Sequence, residues 1–142
     1  MIKIKTKIIL PLLLLPLMLI SCNKSDDLRE IFLSHSWSLA FIKEGTQIKS
    51  PAKNSAYTLK FYDTTFTFTT KSGTTITGYW QADSKERTFR CSQVKVSSGS
   101  VAGDRIAMKA DSIFRNARDY EGDSNALKIM IQKNHFMQVH NK

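Results

Sequence analysis

The chain has 142 residues, with 21 Lys or Arg against 12 Asp or Glu and a formal net charge of +9. At 42% hydrophobic, 10% aromatic and 23% charged, its composition is that of a globular domain, and its length holds one domain rather than two. Six Gly, three Pro and eight Phe exclude a collagenous, low-complexity or disordered chain, and two Cys exclude a disulfide framework.

The first segment reads as an address. Lys3, Lys5 and Lys7 stand without an acid, and the chain then runs apolar from Ile8 to Ile20, broken only by Pro11 and Pro16. A positive start, a short apolar run and a small residue before a break form the pattern of a secretory signal peptide. The run falls short of the roughly 20 residues of a spanning helix, and its prolines interrupt helical hydrogen bonding. Leu19-Ile20-Ser21-Cys22 resembles the bacterial lipobox. That resemblance implies cleavage before Cys22, diacylglycerol on its thiol and often an acyl group on the new amine. Each buried methylene contributes about 0.8 kcal/mol, so two or three chains hold stably where one is marginal. Cys22 is thus the expected lipidation site, and the membrane is a partner through the lipid it carries.

The expected organisation is a signal peptide over 1–21, a lipidated tether over 22–33 and a β domain over 34–142. By analogy with a sorting rule, Asn23 in place of Asp disfavours inner-membrane retention and points to the outer membrane. Asp26-Asp27 resembles the surface-export signals of some Gram-negative lipoproteins, which leaves the periplasmic and surface faces both open. Removing residues 1–21 lowers the net charge to +6. The remaining Lys and Arg are scattered, a basic solvated surface that suits an envelope protein or glycolipid partner. Nucleic acid is not an expected partner, because no binding motif is present and the address is extracytoplasmic.

After the tether, Leu28–Ser34 reads as an amphipathic helical turn. Trp37, Leu39 and Phe41 then alternate with smaller residues, a period of two. Gly45 to Asn54 holds Gly, Ser, Pro and Asn and reads as a loop. Tyr57, Leu59 and Phe61 form a strand face. Phe66 and Phe68 form another, alternating with Thr65, Thr67 and Thr69 as in a half-buried antiparallel sheet. Ile76 and Trp80 share a face around Gly78, where the missing side chain marks a bulge or close backbone approach. Tyr79 faces the other way with Thr75 and Thr77. From Thr88 to Val96 the apolar phase slips, which predicts a bulge near Ser92.

One segment changes period. Ile106, Ala110, Ile113, Phe114, Ala117 and Tyr120 make a helical stripe, with Asp104 as its N-cap and Gly122 as its left-handed terminator. Leu127, Ile129 and Ile131 form a strand face, and a turn at Gln132–Asn134 leads to a last strand carrying Phe136, Met137 and Val139. The fold class is α+β and mostly antiparallel β. It has about seven strands in a strongly curved or barrel-like sheet, with one helix before the last hairpin.

This order resembles the META domain (heat-shock lipoprotein HslJ-like) family. Trp37-Ser38-Leu39, Gly73 to Gly78, Asp111-Ser112-Ile113-Phe114 through Ala117 and Tyr120, Gly122 and Leu127-Lys128-Ile129 carry the resemblance, over Ser36 to Val139. Where members often show Gly-Cys-Asn this chain reads Gly78-Tyr79-Trp80, and where they show Met-Ala-Cys it has Ala107-Met108, so a cysteine-based role does not carry over. The resemblance implies a non-enzymatic envelope protein associated with stress, a binding or structural module. The alternative resemblance is to small lipocalin-like lipoproteins, which also begin with a Trp-x-Leu strand and would carry a hydrophobic ligand. Closure of a lipocalin takes eight strands, and bulky inward residues would fill the middle.

Catalytic chemistry finds no constellation. His135 and His140 point to opposite faces of one strand and His35 stands apart, so no metal site is expected. Cys91 reads as a small buried hydrophobe rather than a nucleophile. Gly99 to Gly103 fits neither a nucleophile elbow nor a phosphate loop. Asp111 and Asp119 lie about two helical turns apart, too far for a carboxylate pair. No catalytic residue, cofactor or metal is assigned. Trp37 and Trp80 read as core, and the Thr75/Thr77/Tyr79 face is the candidate contact surface, Tyr being enriched at interfaces.

Overall fold

Thr alternating with Phe, Ile and Tyr favours strands, because β-branched and aromatic side chains pack well on a pleated surface. The computed structural model describes residues 28–53 and 56–142. The signal segment, Cys22 and the first half of the tether lie outside the described residues. Among the described residues nine strands form a single antiparallel sheet: β1 (Trp37–Glu44), β2 (Gln47–Lys49), β3 (Thr58–Phe61), β4 (Thr65–Thr69), β5 (Thr75–Asp83), β6 (Thr88–Ser97), β7 (Asp119–Gly122), β8 (Ala126–Gln132) and β9 (His135–Asn141). Among the described residues one α-helix, α1 (Arg105–Asn116), precedes β7. Because β1 also pairs with β9, the sheet closes into a ring of eight strands, with β2 attached to the end of β1 as a hairpin.

The expected α+β class and curved antiparallel sheet are present, and the strand count is corrected from seven to nine. The first extra strand, β2, lies in the stretch read as a loop. Gly45, at φ +65°, lets Glu44 turn directly onto Gln47. The second, β7, replaces the expected last turn of the helix. Arg118 N–H donates to the Met130 carbonyl at 2.9 Å and Tyr120 N–H to the Arg87 carbonyl at 3.0 Å. Those cross-strand bonds outcompete helical ones, and α1 ends at Ala117, where ψ is 138°. Gly122 therefore does not terminate a helix. It sits at the end of β7 with φ +129°, where a Cβ would strike the Ala126 carbonyl.

The helix start follows the sequence. Ala107 N–H donates to Asp104 Oδ1 at 3.0 Å, and the buried Tyr57 hydroxyl donates to Asp104 Oδ2 at 2.8 Å. Ala107, Ala110, Ile113 and Phe114 are buried. Phe114 stacks on Phe66 with ring centroids 4.5 Å apart and meets the edge of Phe68 at 5.5 Å. A second aromatic cluster forms around a single π-helical turn, Arg29–Leu33. Phe32, with no exposed surface, lies 4.9–5.7 Å from Trp80, Phe61, Tyr120 and Phe89. The boundary drawn at 33/34 therefore falls inside the packed unit. Burial of each such ring contributes about 1.5–3 kcal/mol.

A ring of eight strands is the number a lipocalin takes, so strand count does not argue against that closure. The packing argues instead against a ligand held inside: Trp37, Phe66, Phe68, Phe89, Phe114 and Tyr120 fill the interior without solvent exposure.

Candidate functional site

Strand register decides which side chains share the outer face. Cross-strand partners point to the same side of the sheet, and the pairings of β3 to β6 give five outward rows. Two, Gln81–Arg90 and Asp83–Thr88, lie at the far end of β5 and β6, and the other three gather around Tyr79. The first is Thr58, Thr69, Thr75 and Ser97, the second Lys60, Thr67, Thr77 and Lys95, and the third Thr65, Tyr79 and Ser92. Of these eleven side chains nine carry hydroxyls and two carry ammonium groups, and none is an acid. None of the eleven is buried, and Tyr79 is 47% exposed. Asp63, Asp83 and Glu86 lie nearby only in turns or at the end of β5.

A depression is set into this face. Between Thr77 and Tyr79 the register shifts, so Gln93 (φ +50°) and Val94 stand against Gly78 alone. This is the bulge expected near Ser92. A Cβ on Gly78 would lie 3.0 Å from both the Phe66 ring and the Ser92 carbonyl oxygen, so the close approach anticipated there is real. Beside this bulge the outer face holds an open trough of about 390 Å³, lined by Thr65, Phe66, Thr67, Thr77, Gly78, Tyr79, Gln93 and Lys95. Tyr62, 48% exposed, extends the face beside β3, with the Lys60 ammonium 5.9 Å from its ring centroid. Trp80, on the inner side, donates its Nε1–H to the Tyr62 carbonyl at 2.7 Å, which holds the β3–β4 turn against β5.

The ring wall opposite differs. Its outward rows include Asp119 and Glu121 of β7, the latter in register with Lys128 and Gln138. The acids thus begin with the Asp83–Thr88–Asp119 row, two rows beyond Tyr79.

The other candidate residues are dispersed. His35 packs on Trp37 at 4.5 Å, His135 Nε2 lies 3.8 Å from Glu44, and His140 bonds Gln138 at 2.9 Å. Among the described residues no three His, Cys, Asp or Glu side chains gather as metal ligands. The hydrogen bond from Lys109 and its charge hold the Glu44 carboxyl below its ordinary range, and the N–H groups of Asn125 and Ala126 do the same for Asp123. Cys91, half-buried against the core, has its thiol pushed up to about 12 by burial, so it holds its proton at neutral pH and is a poor nucleophile. Asp111 is taken up by Arg115 at 3.0 Å.

Sequence reading found Thr75, Thr77 and Tyr79 but not Lys60, Lys95 or Gln93. The available signal was the run of hydroxyl and lysine outward positions on consecutive strands. Among the described residues no helix is long and apolar enough to cross a membrane.

The geometry defines an α+β protein built on a closed antiparallel ring, with hydroxyl-rich rows on one outer sheet face. The chain belongs to the family described as Domain of unknown function (DUF4847), whose model matches residues 23–141. This overturns the META domain assignment: the Trp-x-Leu strand and the acidic-Phe helix suit more than one small β fold. The chain is similar to a DUF4847 family protein from Bacteroides vulgatus ATCC 8482, solved by crystallography at 1.00 Å. The TM-score is 0.60 at 24% identity, over 81% of this chain and 97% of that one. That likeness concerns the fold. No curated protein matches.

Proposed function

We propose that this chain is a non-enzymatic lipoprotein of the outer membrane, held by acyl chains on Cys22, and that it acts as a binding module through the β3–β6 face. The observation that carries the binding role is the three acid-free rows that set eight further hydroxyls and two lysines around the exposed Tyr79. The anchor is supported by Leu19-Ile20-Ser21-Cys22, and the family match begins at Asn23, directly after it. The scattered histidines and the protonated Cys91 thiol favour binding over catalysis. The filled interior favours an external contact face over a carrier of a small hydrophobic ligand.

Two measurements test this reading. Radiolabelled palmitate should enter the wild-type chain and not Cys22→Ala; equal labelling of both would remove the anchor. Added in trans, the Cys22→Ala chain should be retained by washed envelopes, and the further change Tyr79→Ala should release it. Retention unaffected by changes across the β3–β6 face would exclude that face as the contact.

A further inference from the structure

We infer that the ligand of the β3–β6 face is an acidic polysaccharide, a polymer of sugar rings bearing carboxylates. The inference rests on the binding role proposed above and names the chemistry of what is bound.

Each Thr or Ser hydroxyl both donates and accepts a hydrogen bond, so a dense hydroxyl field matches a ligand that is itself dense in hydroxyls. Such a field offers little to an apolar partner, and nothing selective to a simple anion. Tyr79 supplies the complementary apolar element. Its ring is 47% exposed at the edge of the trough, where the C–H face of a sugar can pack against the aromatic surface as other apolar groups do. The depression at Gly78 is open rather than enclosed, a shape for a passing chain and not for a single buried sugar.

Charge selects among polysaccharides. Lys60 and Lys95 end the same row, Lys60–Thr67–Thr77–Lys95. Three strand spacings put them about 14 Å apart, too far for one small anion to bridge and suited to charges repeated along a polymer. The Lys60–Lys95 row and the rows on either side of it carry no acid, and the Asp83–Thr88–Asp119 row lies two rows beyond Tyr79, so an anionic chain following the lysine row meets no like charge in register, which would be costly. Lys95 also lines the trough, which places a cation beside the proposed sugar seat.

The test uses the full lipidated chain with three polymers: polygalacturonate, neutral dextran and polyglutamate. Polygalacturonate should bind at least tenfold tighter than either of the others and weaken as salt rises. Lys95→Ala and Lys60→Ala should each weaken it several-fold and Tyr79→Ala about tenfold, with Tyr79→Phe retaining binding. Thermal unfolding unchanged in these surface variants would separate lost recognition from lost fold. Dextran binding as tightly as polygalacturonate would overturn the selection of charge, and polyglutamate doing so would overturn the sugar. If all three fail while envelopes still retain the Cys22→Ala chain, the ligand class is wrong and the binding role stands. If retention fails as well, both fall.

Discussion

Cys91 and Tyr57 show how burial sets the behaviour of single groups. The Cys91 thiol is pushed up to about 12 because ionisation would place a charge against the core. In the folded protein it should therefore resist iodoacetamide at pH 8 and become reactive on denaturation, read by mass spectrometry of the Cys91 peptide. Rapid native labelling would show that the β6 wall opens. The Tyr57 hydroxyl is also raised to about 12, first by burial and then by its hydrogen bond to Asp104. An acid whose folded pKa is raised stabilises the fold fully below its unfolded value near 10, and that contribution is lost as pH climbs toward 12. At pH 7, Tyr57→Phe should cost about 1 kcal/mol, the worth of one hydrogen bond. Urea denaturation repeated above pH 10 should find the gap to wild type narrowing and then reversing. A constant gap would mean that the hydroxyl is wet.

At the scale of elements, local chemistry was legible where one residue decides the outcome, and illegible where a distant partner does. Asp104 capping α1, Gly78 under the Phe66 ring and the bulge beside Ser92 each follow from residue type and phase. Tyr120 kept the helical spacing of Ile113 and Phe114 yet lies in β7, because Arg87 and Met130, far along the chain, offer backbone partners there. The contact face divides the same way. Alternation alone places Tyr79 beside Thr75 and Thr77, whereas the row joining Lys60 to Lys95 depends on three registers and a bulge. The N-terminal turn gives the sharpest case. Placed with the tether on sequence, it contributes Phe32, which touches four aromatic rings and has no exposed surface. Phe32→Ala should destabilise the protein by about 3–5 kcal/mol, as a large cavity does, measured by urea denaturation. A loss below about 1 kcal/mol would mean that the turn docks only loosely.

For the whole molecule, stability hangs on closure. β1 and β9 lie at the two ends of the described chain and pair over seven registers, from Trp37↔Asn141 to Glu44↔His135. β9 also pairs with β8 and buries Phe136, Met137 and Val139, so a single strand completes two ladders and part of the core. A ring has no open edges, and opening it exposes two rows of unpaired N–H and C=O groups that template association between chains. Contacts that join the chain ends must overcome a large loop-closure entropy before they are rewarded, which places folding in the millisecond-to-second regime of all-β proteins. A chain stopped after Asn134 retains every other strand, and would keep much of its structure if the remaining hairpins were stable alone. Closure argues otherwise: the truncated chain should show no cooperative urea transition and should associate in sedimentation, while the full-length chain unfolds with near-UV and far-UV signals coincident. A cooperative, monomeric truncation would place the stability in the β3–β6 wall and α1 rather than in the ring.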